Sequence, residues 1–186
     1  MLNIYMCIAI CTIVLIVNGI CIVHAFRNNI TSEIFMHTGL TLFFGLLIIE
    51  LTIGRNEIWS HYDVLWLEII GWILYIPSAI LVTSSMIALH KKGKPDTADF
   101  TDSTLFIDSG IFGLIRQPMT LGLTIWSIGL ILVFQSLLAT VLGLLSLLCF
   151  WISATKEHIY NIRKFGDSYK DYMKKVPMWN IFRKMK

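Results

Sequence analysis

The chain has 186 residues, of which 56% are hydrophobic and only 15% charged, and its mean hydropathy is +0.72. A soluble domain of this size is not that apolar, so composition points to one small polytopic membrane domain over residues 1–186, with no room for a separate soluble one. The net charge of +3 says little by itself, and no nucleic-acid partner is expected; the placement of the charges says more.

The first apolar run, Leu2 to about Val23, is broken only by Asn3, Thr12 and Asn18. It lacks the basic start and small-residue cleavage site of a secretory signal, so it reads as a retained span. A second run covers Ile34 to about Ile53, with Glu50 near its far end. The third, about Val64 to Leu89, carries Glu68 near its start and Pro77 inside, where a kink is expected. Met119 to about Phe134 and Leu137 to about Thr155 form the fourth and fifth, a hairpin joined by a tight Gln135-Ser136 turn. The fourth is short for a full crossing and calls for tilt, thinning or shielding by its neighbours. The expected fold is therefore all-α with five transmembrane helices: three spans within residues 1–90, then the hairpin within 91–186.

Charge supports the count of five. With the N-terminus outside and the C-terminus in the cytoplasm, every Lys and Arg except Arg55 falls on the cytoplasmic side, as the positive-inside rule requires. That topology makes the Asn29-Ile30-Thr31 sequon a chance match. Cys7, Cys11, Cys21 and Cys149 all lie in apolar runs without zinc-site spacing, so no metal is expected. Gly39, Gly45, Gly122, Gly129 and Gly143 are small residues that let helices approach. After the fifth span, Ile159, Ile162, Phe165, Tyr169, Tyr172, Met173 and Val176 recur at helical steps between basic residues. They predict a cytoplasmic amphipathic helix pair against membrane lipid, broken at Gly166 and capped again by Asp167 or Ser168.

Two polar clusters flank the hairpin. In Gly110-Ile-Phe-Gly-Leu-Ile-Arg116-Gln-Pro118-Met-Thr120-Leu-Gly122, Pro118 suits the first position of a helix and pushes Gln117 out of the α region. Arg116 thus stands at a helix mouth, where a charge either anchors the interface or faces a cavity with a partner. The second cluster is Lys156-Glu157-His158, followed by Phe165-Gly166-Asp167. The hairpin returns Arg116 and Glu157 to one level, and together the clusters look like a site.

From about Lys91 to the C-terminus the chain resembles the isoprenylcysteine carboxyl methyltransferase and phospholipid N-methyltransferase family. The first cluster is similar to that family's Gly-Ile-Tyr-x-x-x-Arg-His-Pro-Met-Tyr-x-Gly motif. Glu157 with Phe165-Gly166-Asp167-x-Tyr169-x-x-Tyr172 and Val176-Pro177 resembles its closing segment, and Lys92-Gly93-Lys94-Pro95 and Thr104-Leu105 resemble short members. Gln117 replaces the family histidine, Phe112 and Thr120 its tyrosines, and His158 its second acidic residue.

The resemblance implies a transferase using S-adenosylmethionine on a lipophilic acceptor: a prenylcysteine-like carboxylate, an aminophospholipid or a thiol. Arg116 and Glu157 are its implied catalytic residues. Gly110, Arg116, Gln117, Pro118, Met119, Thr120, Gly122 and Glu157 are implied to hold the cofactor. Arg116 suits a carboxylate, Glu157 an ammonium or ribose, and Gln117 an adenine edge. His90 either joins the site or is an interfacial residue beside Lys91 and Lys92. The smaller Thr120 is expected to leave room for a bulkier acceptor head. Two further readings stay open: an NADPH-dependent membrane reductase of related architecture, and a non-catalytic module binding lipid or a partner span.

Overall fold

The computed structural model describes residues 4–54, 59–93 and 106–179. Arg55, Lys94-Pro95, Thr104-Leu105 and the basic residues Arg183, Lys184 and Lys186 lie outside the described residues. Six α-helices follow in order: α1 (Ile4–Arg27), α2 (Thr31–Thr52), α3 (Leu65–Lys92), α4 (Pro118–Phe134), α5 (Leu137–Phe165) and α6 (Asp167–Lys175), with a short 3-10 turn at Gly110–Gly113. Four of them, α1, α2, α3 and α5, are long and apolar enough to cross a membrane, and α4 is apolar but only 17 residues long. Their packing forms a row in the order α1, α2, α5, α4, α3. The outer members turn broad apolar faces outward, including Ile13, Ile16 and Ile20 on α1 and Ile73, Ile76 and Ile80 on α3. Such faces suit lipid, and the protein is an integral membrane protein.

Small residues and hydroxyls make the row close. At the α3–α4 crossing a Cβ on Gly129 would stand 2.6 Å from the Tyr75 ring, and one on Gly71 would stand 2.8 Å from the Gly129 carbonyl. Ser78 donates to the Gly122 carbonyl at 2.8 Å, Ser146 to Gly39 at 2.8 Å and Ser153 to Ser32 at 2.8 Å. These bonds satisfy polar groups that lipid cannot. Between α1 and α2, buried Asn18 accepts from the His37 ring at 2.7 Å. Gly45 departs from the expectation for small residues: a Cβ there would meet nothing within 4 Å.

The two ends of the row are fastened differently. At one end Gln135 takes a left-handed conformation (φ 49°) and closes the α4–α5 turn. Its side chain pairs both ways with the Val64 backbone, at 2.9 and 3.0 Å, while His61 bonds the Phe134 carbonyl at 2.6 Å. Ser136 caps α5 and donates a short hydrogen bond to Glu50, which is 2% exposed. The other end gathers the α1–α2 turn, the end of α3, the Gly110–Gly122 stretch, the end of α5 and α6.

Two boundaries differ from the sequence expectation. The first half of the expected amphipathic pair is the continuation of α5, one helix running unbroken to Phe165. Gly166 (φ 63°, ψ −138°) then both ends α5 and caps α6 by its backbone, so neither Asp167 nor Ser168 serves as the cap. That positive φ is one that glycine adopts without a Cβ penalty. α3 is a single helix through Pro77.

Candidate active site

Gly110 opens this stretch with φ 65°, a conformation that favours glycine, and has open space around it. The 3-10 turn that follows leads to Ile115, which is buried, and to Arg116. Gln117 (φ −126°, ψ 61°) stands outside the α region, as a residue before proline should, and Pro118 opens α4. The backbone of this bend is held by the segment that follows α6. Arg116 N–H donates to the Pro177 carbonyl at 3.0 Å and Gln117 N–H to that of Met178 at 3.3 Å. Trp179 donates its indole N–H to the Thr120 hydroxyl at 3.4 Å, and Tyr172 donates to the Phe112 carbonyl.

Arg116 and Glu157 line one small cleft, together with Asn161, Phe106, Tyr169 and Tyr172. They form no ion pair with each other. The Arg116 guanidinium donates to the Met173 carbonyl at 3.2 Å and to His158 Nε2 at 3.3 Å, while its buried Nε has no partner among the described residues. Burial pulls its pKa below the usual arginine value, and the nearby Tyr169 and Tyr172 partly oppose that. Glu157 accepts from Asn161 at 3.3 Å, and the Gln117 side chain lies near enough to act on its carboxyl group. The cleft thus holds one cation and one carboxylate apart, each with uncharged hydrogen-bond partners. Tyr169 stands between them, near His158 at 3.4 Å and Asn161 at 3.5 Å. Burial raises the Tyr169 pKa to about 12 and pushes that of Tyr172 up too, so both are neutral phenols at ordinary pH.

The other expected site residues separate by position. Gln117, Pro118 and Thr120 are buried beneath the closing segment, and Gly122 packs against Ser78 and Val82 of α3. Met119 is half-buried in the first turn of α4, and His90 is exposed at the end of α3, where its neighbour Leu89 lines the cleft instead. The room expected beside Thr120 is filled by Trp179, and Thr120 is 1% exposed. Sequence reasoning did not single out Asn161 as a site residue. Its signal was there, because Glu157, Asn161 and Phe165 follow at four-residue steps on one face of α5. The carbonyls of Met173, Pro177 and Met178 carried no such signal, being main-chain groups.

The family model for phospholipid methyltransferases matches residues 66–168. The chain is 30% identical over 123 residues to the protein-S-isoprenylcysteine O-methyltransferase of Schizosaccharomyces pombe, covering 66% of this chain and 50% of that one. It is 27% identical over 131 residues to the Xenopus laevis protein of the same name, covering 69% and 46%. The chain therefore spans about half the length of these relatives. No solved structure matches it. The family model takes in α3, the Arg116 bend, α4 and α5 with Glu157, though not Tyr169 and Tyr172 of α6, and this chain belongs to the phospholipid methyltransferase family.

Proposed function

We propose that the protein is a membrane methyltransferase that uses S-adenosylmethionine and acts on a lipophilic acceptor. The observation that carries this reading is the separation of Arg116 and Glu157 across one cleft, each half-buried and without an ion-pair partner among the described residues. Desolvated charges in that state are costly alone and favour a ligand that supplies both counter-charges. The methionine end of S-adenosylmethionine has a carboxylate for Arg116 and an ammonium for Glu157. The orphaned Arg116 Nε gives the guanidinium a further donor for a two-point grip. Asn161 fixes the Glu157 carboxylate, and His158 with the Met173 carbonyl fixes the guanidinium.

When bound, S-adenosylmethionine supplies an electrophilic methyl group on a sulfonium. Transfer of that group needs an aligned and desolvated nucleophile more than acid–base residues. The chain's part is to hold the charged end, exclude water with Phe106, Tyr169 and Tyr172, and admit the acceptor from the bilayer. The enclosed part of the cleft measures only about 60 Å³. Seating the nucleoside therefore requires the cleft to widen.

The relatives' names favour a prenylcysteine carboxylate as the first acceptor to test, with an aminophospholipid and a small thiol beside it. The whole chain forms a single membrane domain in this reading, with its C-terminus and the cleft in the cytoplasm. The test is calorimetric titration of the purified protein in detergent with S-adenosylmethionine and, separately, NADPH, followed by methyl transfer to the acceptor panel. Binding of S-adenosylmethionine alone is the expected result. Binding of NADPH alone would replace this reading by a reductase, and binding of neither would leave a non-catalytic module.

A further inference from the structure

A second cavity lies on the opposite face of α5 from the cleft and takes no part in the proposed chemistry. It measures about 240 Å³, larger than the enclosed part of the cleft, and lies between the α1–α2 turn and the end of α5. Lys156, Ile159, Tyr160 and Arg163 line it from α5, at the three- and four-residue steps that make one helical face. Glu157 and Asn161 on the same turns face the cleft instead. The opposite wall is Asn29, Ile30, Thr31 and Ser32.

The charges here are of one sign. Lys156 and Arg163 form no ion pair among the described residues, and no carboxylate lines the cavity. Glu33, the nearest acid in sequence, stands in the first turn of α2 and does not line the cavity. The wall across from the two cations starts the 22-residue α2, whose first-turn amides have no side-chain cap. Those amides add donors to a cavity already defined by its two cations. Ile159, 48% exposed, puts apolar surface on the rim, and the cavity sits where the helical row passes from apolar to basic.

We propose that this cavity binds the phosphate of an anionic glycerophospholipid. Lys156 and Arg163 hold the phosphate oxygens, the α1–α2 turn closes over it, and the acyl chains run down the apolar side of the row. Charge selects the headgroup, and the adjoining apolar surface selects a lipid over a soluble anion. This proposal does not depend on the methyltransferase reading.

The test uses the full-length protein in a zwitterionic detergent, with binding followed by native mass spectrometry. The probes are a short-chain phosphatidylglycerol, the matching phosphatidylcholine and inorganic phosphate. The parent should bind phosphatidylglycerol in preference to both others. Lys156→Gln with Arg163→Gln should weaken that binding by roughly tenfold or more, since two charge-assisted contacts are lost. Both residues are exposed, so the variant should fold, which an unchanged thermal midpoint without lipid verifies. Lys170→Gln with Lys174→Gln on α6 removes the same charge elsewhere and should leave binding unchanged. Equal binding by the first variant, or equal loss in the second, would overturn the site. Inorganic phosphate competing as well as the lipid would overturn the lipid assignment in favour of a free anion.

Discussion

Arg116 has the most consequence for its size. Its backbone is pinned by Pro177, its guanidinium by Met173 and His158, and its buried Nε has no partner among the described residues. In the proposed reading Arg116→Ala and Glu157→Ala each remove one charge-assisted contact, worth about 1.5–3 kcal/mol. Affinity for S-adenosylmethionine should then fall by roughly ten- to a hundredfold. Calorimetry measures this directly, and unchanged affinity in both variants would make the two residues structural anchors. Arg116→Lys should recover little, because an ammonium cannot reproduce the planar fork. Thr120 sets up a different experiment, since Trp179 already fills the space beside it. Thr120→Tyr should overpack the site and cost about 1–3 kcal/mol of stability, seen as a lower thermal midpoint in detergent. Trp179→Ala in the same chain should restore much of that loss, whereas no effect of Trp179→Ala would mean the two side chains do not share the space.

Much of the helical row was readable in the sequence, because apolar runs and the Arg-Gln-Pro bend are local signals. The runs from Val64 and Leu137 begin within a residue of α3 and α5, and Pro118 opens α4 as its ring chemistry dictates. Arg116 and Glu157 were identifiable for the same reason: a tight hairpin of two apolar helices returns both to one level. What local signals cannot carry is a partner far away in the chain, and such partners fasten both ends. Ser136 is an example, reading in sequence only as part of a turn. In the fold it caps α5 and donates a hydrogen bond to Glu50, a carboxylate whose second oxygen has no partner among the described residues. Ser136→Ala removes the cap and leaves Glu50 buried with neither oxygen satisfied, an expected cost of about 1–3 kcal/mol. Glu50→Gln keeps an acceptor for the serine and should cost less. Thermal midpoints in one detergent compare them, and a larger loss in Glu50→Gln would mean that Ser136 is not what satisfies the carboxyl group.

For the whole molecule, the open issue is whether α4 makes a full crossing. Its 17 residues extend about 25 Å at 1.5 Å per residue, short of a hydrocarbon core of about 30 Å. Two fastenings nonetheless fix where its ends lie. Its start is tied to the segment after α6, beside Arg116 and Glu157. Its end is tied to Val64 and His61, beside Ser136 and Glu50 at the far end of the row. A helix that turned back midway would not reach both sets of partners. Because α4 lies between α3 and α5, its polar ends meet protein as well as lipid, and local thinning of the bilayer or tilt would cover the remaining few ångströms in a full crossing. We propose five crossings on this ground, with basic residues such as Arg27, Lys91, Lys92, Lys156 and Arg163 gathered at the cleft end. Reporter fusions after Thr31, Trp59, Thr97 and Lys186 should therefore read inside, outside, inside and inside. An outside signal at Thr97 with an inside signal at Lys186 would separate the Arg116 bend from the end of α5 by a whole membrane. The cleft described here would then not exist in the bilayer, and the proposed cofactor site would fall with it.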